Sequence, residues 1–259
     1  MTRDARGFSI VELVIAAAIM SACGGAILSL VIAGQRIARV QPEAADQQQR
    51  ARMAIETLTT ELSRAGAGLD RGPRAGSLAA YFIPAETSAD GGLTVWSVAA
   101  HGGQAAMGAA LAPSATDVLI DSGGACPPAQ PTCGFARGST VIMFDAGGCR
   151  DAGRIDDVAA SALVLRAAMR TCAYSTGAAI AEGAVRTYRV DPLTRQLVRR
   201  DEATGTTAPV LDNVASMTIE WLDGGRRARI TLRLVATLLH FPDLVVAIDA
   251  APPNLQERW

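Results

Sequence analysis

The sequence predicts an α+β protein in which one long N-terminal helix packs on an antiparallel β-sheet domain. Three observations carry that expectation. Leu13–Ala33 is a run of 21 residues without a charge. Beyond it, Ala51, Ile55, Leu58, Leu62 and Ala65 recur at three- and four-residue spacing, as on a helix with one buried face. The remainder consists of short β-prone runs separated by Gly-, Pro- and Asp-rich turns. No helical period alternates with them, so the strands should pair antiparallel rather than through helical crossovers.

At about 1.5 Å rise per residue the uncharged run extends roughly 32 Å, enough to cross a hydrocarbon core of about 30 Å. It is longer than the apolar part of a secretory signal, and no small-x-small cleavage site follows it, so it should be retained. Arg3 and Arg6 precede it and Arg36 and Arg39 follow it, which leaves its orientation open by charge. The helix should continue to about Ala65, with a kink near Pro42 and a stop at Gly66 and Gly68. Arg50, Glu56, Thr60 and Arg64 fall on the remaining face. From Ser9 to Ala65 such a helix would measure some 85 Å.

Nine strands are expected: Leu78–Ile83, Leu93–Ala99, Asp117–Asp121, Thr140–Phe144, Ala162–Arg166, Val185–Val190, Gln196–Arg200, Ala215–Leu222 and Ala228–Leu238. In the last, Ile230, Leu232, Leu234 and Ala236 alternate with Thr231, Arg233, Val235 and Thr237, giving one dry face. Asp223-Gly224-Gly225 and Asp191-Pro192-Leu193-Thr194 read as hairpin turns. The Gly- and Ala-rich stretch Asp90–Ala115 reads mostly as loop, and no internal repeat is found.

The 259 residues suffice for one sizeable domain beyond the helix. The formal charge is −1, so nothing in it suggests attraction to nucleic acid. All 24 basic residues are arginine, which reads as codon bias rather than function.

Glu12 stands where the apolar run begins. A carboxylate at a bilayer boundary is costly unless paired, so it needs a partner or a wet position. The surrounding heptapeptide Gly7-Phe8-Ser9-Ile10-Val11-Glu12-Leu13 resembles the processing motif of type IV prepilins and type II secretion pseudopilins. The motif is specific because a short basic leader, Gly, Phe, Glu four residues later and an uninterrupted apolar run coincide. The resemblance implies cleavage after Gly7 by a prepilin peptidase on the cytoplasmic face, then N-methylation of Phe8. It also implies that Glu12 of an incoming subunit pairs with the amino terminus of a neighbour in a filament. The competing role for Glu12 is local: interfacial water and the positive end of its own helix dipole.

The resemblance orients the chain, with the N-terminus cytoplasmic and the bulk outside. It divides the sequence into a cleaved leader (1–7), a transmembrane and filament-core helix (8–35), its amphipathic continuation (36–66) and a β-rich periplasmic or surface domain (67–259). Without the leader, which carries Arg3, Arg6 and Asp4, the charge becomes −2. The helix Gln48-Gln49-Arg50-Ala51-Arg52 through Leu62-Ser63-Arg64-Ala65-Gly66 is similar to that of PilW-like minor pilins and J-type minor pseudopilins. So are Val185-Arg186-Thr187-Tyr188-Arg189-Val190, Gln196-Leu197-Val198-Arg199-Arg200 and Leu211-Asp212-Asn213-Val214. These segments refine the type of pilin and locate no binding site.

Cys23 lies in the apolar run and reads as a small apolar side chain. Cys126, Cys133, Cys149 and Cys172 fall in the outer domain, an oxidising setting in which four cysteines allow three pairings. Cys126–Cys133 across a Pro-rich loop and Cys149–Cys172 across neighbouring strands are preferred. Zinc is disfavoured, because there is no C-x-x-C pair and both histidines lie elsewhere.

Other chemistry is weakly signalled. His101 and Asp121-Ser122-Gly123-Gly124 echo a serine protease, but 21 positions cannot hold the barrel that should separate them. Gly66-x-Gly68 follows a helix and so caps it rather than binding a dinucleotide. Asp145, Asp151, Asp156 and Asp157 are a candidate calcium cluster without EF-hand spacing, and solvated turn residues are the favoured reading. Arg195, Arg199, Arg200, Arg226, Arg227 and Arg229 are a candidate basic patch. Aromatic stacking partners are scarce, so edge-protecting arginines are favoured.

The expectation is therefore a non-enzymatic minor pilin that incorporates into, or primes assembly of, a type IV pilus through its N-terminal helix, without catalytic residues, resident metal or cofactor. It would sit in the inner membrane with a single pass, then in a filament with other major and minor pilins. Two alternatives remain: a minor pseudopilin of a type II secretion system, and a membrane-anchored periplasmic enzyme or receptor.

Overall fold

The computed structural model describes residues 9–66, 84–99, 102–121, 132–166, 170–239 and 241–252, apart from the side chains at 36 and 39. Its first element is a single helix, α1 (Ile10–Arg64, 55 residues), about 80 Å long. Ser9 caps it, its hydroxyl accepting from the Val11 N–H at 3.4 Å. Gly66, in the left-handed region at φ 68°, ends it. The Gly66 N–H then donates to the Trp96 carbonyl at 2.9 Å, tying the helix end to the sheet. The helix runs unbroken through Pro42. The carbonyl of Ala38 loses its helical donor there, at an exposed position open to water.

The buried stripe of α1 is Glu43, Gln47, Arg50, Ala51, Ala54, Leu58, Glu61, Leu62 and Ala65. Two positions correct the sequence expectation. Ile55 is 40% exposed, and the fully buried side chain of that turn is Ala54. Arg50, expected on the solvent face, is buried. Spacings of three and four are both helical, so periodicity alone could not choose between positions 54 and 55. The small Ala54 permits the closer approach to the sheet.

Thirteen strands follow: β1 (Ala85–Thr87), β2 (Leu93–Val98), β3 (Gln104–Met107), β4 (Asp117–Asp121), β5 (Thr140–Phe144), β6 (Arg150–Val158), β7 (Ala162–Leu165), β8 (Ala179–Asp191), β9 (Gln196–Asp201), β10 (Thr207–Leu211), β11 (Val214–Leu222), β12 (Arg227–Leu234) and β13 (Leu244–Ala250). All pairings among them are antiparallel.

β8 organises the domain because it belongs to two surfaces. Its first residues, Ala179–Glu182, pair with β3 on one side and β5 on the other. The pairings β3–β4, β4–β7, β7–β6 and β6–β5 complete a ring, so six strands close into a barrel. Met107, Val118, Val141, Met143, Ile155, Leu163, Leu165 and Ile180 share its core, which contains no residue of α1. From Gly183 onward β8 pairs instead with β2 and β9, and β1 and β10 extend that sheet. Glycine is required at the changeover. A Cβ on Gly183 would lie 2.2 Å from the Ser97 carbonyl oxygen and 2.7 Å from Ile142 Cδ1.

A second core holds Ala54, Leu58 and Leu62 of α1, Leu93 and Tyr188 of the extended sheet, and Ile230, Leu232, Leu234 and Ile248 of the separate sheet β11–β12–β13. The expectation of one sheet on one helix is thus corrected to two sheets against the helix and a barrel beside them. The apolar stretch Ala51–Ala65 is only about 21 Å long. It cannot cover ten strands, and the surplus strands bury one another by closing, which also removes sheet edges.

Both expected hairpins form. At the β8–β9 turn the Arg195 N–H donates to the Asp191 carbonyl at 2.9 Å, and Asp223–Gly225 is a 3-10 turn between β11 and β12. β4 and β5 have the expected bounds, whereas β12 stops at Leu234 instead of Leu238. β1, β3, β6, β10 and β13 were not expected, and β3 falls in the stretch read as loop. The expected strand Leu78–Ile83 lies outside the described residues.

Candidate functional site

From Ile10 to Ala38 every described side chain of α1 is exposed, Ile19 at 59% among them. Among the described residues this is the one helix long and apolar enough to cross a membrane. Its polar side chains suit that environment. The Ser21 hydroxyl donates to the Ala17 carbonyl at 2.8 Å and Ser29 to Ala26 at 2.7 Å, so both are satisfied within the helix. Cys23 is a free, exposed thiol.

Glu12 lies in the first turn, three residues after the Ser9 cap. Ser9-x-x-Glu12 has capping-box spacing, and a carboxylate there faces the positive end of the helix dipole. It is exposed and makes no ion pair among the described residues. The local role read from sequence is therefore geometrically available. Gly7 and Phe8, which would supply the cleavage point and the neighbour's amine, lie outside the described residues.

Where the helix meets the domain, its stripe is polar. Glu43 accepts the Thr237 N–H at 2.8 Å and, through its other oxygen, the Thr237 hydroxyl. Gln47 donates to the Pro242 carbonyl at 3.1 Å. Arg50 donates to the Val235 carbonyl at 3.1 Å and to Asp46 at 2.8 Å, and its guanidinium lies 3.7 Å from Glu43. The Thr237 hydroxyl above all, with the N–H groups of Thr237 and Leu238 and the charge of Arg50, holds the Glu43 carboxyl below its usual range against the opposing effect of burial. Further along, Glu61 receives both its contacts from Arg186 of β8, at 2.9 and 3.0 Å. Beside this pair, burial and then the Glu61 charge push the Tyr188 hydroxyl up to about 12. Sequence reasoning missed this junction, although Glu43, Gln47 and Arg50 extend the spacing of Ala54 and Leu58 backwards. A search restricted to apolar residues ends at Ala51.

A cleft of about 640 Å³ opens on the extended sheet, lined by Thr94, Trp96, Arg150, Asp151, Thr187, Arg189, Arg200 and Glu202 among others. Its charges are balanced. Arg150 pairs with Glu86 and lies over the Trp96 ring at 5.3 Å, Arg200 is 3.4 Å from Glu202, and Arg189 is 3.9 Å from Asp90. Asp151 is occupied by the Thr171 hydroxyl at 2.8 Å, the Cys172 N–H at 3.3 Å and the Tyr174 hydroxyl at 3.0 Å. The lining hydroxyls are likewise committed: Ser88 donates to Asp90 within its own turn, and the Thr94 and Thr187 hydroxyls lie 3.0 Å apart.

The expected pair Cys149–Cys172 is a disulfide with a Cα separation of 6.0 Å. It joins the β5–β6 turn to the loop before β8 rather than two neighbouring strands. Cys133 is also disulfide-bonded, while its expected partner Cys126 lies outside the described residues. Three of the four aspartates of the candidate calcium cluster do separate work. Asp145 accepts the Gly147 and Cys149 N–H groups in a turn, Asp151 anchors the Thr171–Tyr174 loop, and Asp156 pairs with Arg166. Among the described residues no three acidic, Cys or His side chains converge as metal ligands.

The six arginines do not form one patch. The Arg195 carbonyl receives the Val214 N–H at one end of β11, and Arg226 sits beyond the other end, roughly 30 Å along the strand. Arg229 is committed to Asp249 through two contacts of 2.8 and 2.9 Å. His101 and Ser122 lie outside the described residues. No protein-family model, curated protein or solved structure matches the chain.

Proposed function

We propose that this chain is a non-enzymatic minor pilin, held in the membrane by its N-terminal helix and then drawn into a type IV pilus through the same surface. One observation carries the reading: a single helix is uncovered and mostly apolar over its first half and buries one face against the β domain over its second. Such a surface needs lipid or other apolar helices around it, and a filament core supplies the latter when the chain leaves the former. Glu12 adds direction to the transfer. In an apolar surrounding its carboxylate is stable only beside a cation, and a neighbouring Phe8 amine exposed by cleavage after Gly7 has that charge. The junction at Glu43, Gln47 and Arg50 then carries the β domain outward on the helix.

The same surface serves a secretion pseudopilus equally well, and the polar cleft beside Trp96 and Arg150 favours an anchored receptor as the reading from another class. Filament incorporation tests the proposal. Glu12→Gln should leave the protein in the membrane with its disulfides formed and remove it from sheared filaments. Undiminished incorporation of that variant would contradict the role given to Glu12.

A further inference from the structure

The chain between β12 and β13 has a defined path along α1. Val235 lies against Arg50 and Thr237 against Glu43, so the chain descends toward the N-terminal end of the helix. Pro242 lies against Gln47, so it then climbs back. The apex is a turn closed by the Phe241 N–H donating to the Leu238 carbonyl at 3.1 Å. Leu239, in that turn, is 82% exposed and Leu238 is 37% exposed. From Val235 to Pro242 there is no acidic residue, lysine or arginine.

The apex points where the membrane would be. Val40, one turn before Glu43, is the first described side chain of α1 to lose exposure. It follows the last residue of the uncharged run, Ala33, by seven positions, or about 10 Å along the axis. The headgroup layer of one leaflet is roughly 5–8 Å thick. Thr237 meets Glu43 about 15 Å beyond Ala33, and Leu238 and Leu239 continue the descent from there toward that layer.

We propose that the Leu238–Phe241 turn is a second membrane contact, resting its leucines in the headgroup layer of the leaflet from which α1 emerges. This inference rests on the reading of Leu13–Ala33 as a membrane span. The helix alone leaves the domain free to swing above the bilayer. The turn, clamped to the same helix by Thr237 and Pro242, gives it a second point of support and a fixed height. Its shallow apolar insertion is of the interfacial kind, strengthened by proximity to a span already in place.

The test uses the full chain in phosphatidylethanolamine/phosphatidylglycerol vesicles, with Cys23→Ser and one environment-sensitive fluorophore at Leu239→Cys, Ile19→Cys or Leu193→Cys. Quenching is read with a lipid carrying a doxyl group near the head of its acyl chain. Ile19 reports the span, and Leu193, 93% exposed in the β8–β9 turn, reports the aqueous side. The Leu239 probe should lose about half of its fluorescence to the quencher, as expected for interfacial depth, while Leu193 keeps its own. Quenching at Ile19 with none at Leu239 overturns the inference and leaves the span standing. No quenching at Ile19 removes the span, and the inference with it.

Discussion

Thr237 gives both its backbone N–H and its hydroxyl to the carboxylate of Glu43, 194 positions earlier in the chain. The contact closes the domain back onto the helix that precedes it, just beyond the apolar half. Thr237→Val keeps the shape, removes the hydroxyl and leaves one carboxylate oxygen without its donor. A hydrogen bond to a charged group contributes about 1.5–3 kcal/mol, so the loss should be about 2 kcal/mol in urea unfolding of the full chain in detergent micelles. An unchanged midpoint would mean that the junction adds nothing to stability.

The same carboxylate gives a pH dependence. Glu43 is held below its ordinary value of 4.5, chiefly by the Thr237 hydroxyl, and Asp243 below 3.8, chiefly by Arg233. Groups depressed on folding contribute stability above their unfolded values and lose it as pH falls through the folded ones. Unfolding midpoints should therefore be level near neutrality and fall below about pH 4.5. Thr237→Val should flatten part of that decline, and an unchanged slope would assign it to other carboxylates.

Leu58 and Ile55 distinguish the observed helix face from the one spacing suggested. Leu58 is fully buried and Ile55 is 40% exposed. Leu58→Ala should cost about 3 kcal/mol and Ile55→Ala under about 1 kcal/mol, measured by denaturant titration. Equal costs would place the helix in the other rotation.

The Cys149–Cys172 bridge closes a separation of 23 residues beside the barrel. Replacing both cysteines with serine should lower stability by about 3.5 kcal/mol through loop-closure entropy, with α1 still in the membrane. Mass analysis after thiol alkylation checks the pairing, and an alkylated Cys149 in the unreduced protein would refute it.

The long helix, its stop at Gly66 and both tight hairpins were legible because composition and turn residues act locally. The barrel was not. Its closure depends on β8 changing partners at Gly183, and nothing within a strand announces which two neighbours it will meet. β3 was hidden by its Ala-rich sequence, and β6 by five charged residues that read as loop although the strand is well paired. The junction was hidden because a buried stripe made of Glu43, Gln47 and Arg50 has the polarity of a solvent face. Its burial follows only from partners nearly 200 residues away.

The central claim is the proposed cleavage after Gly7, and mass spectrometry of the N-terminus tests it most directly, on membranes and on filaments sheared from the host. The account predicts a chain beginning with N-methylated Phe8, present in the sheared fraction. An intact Met1, or a cleavage elsewhere, would contradict it.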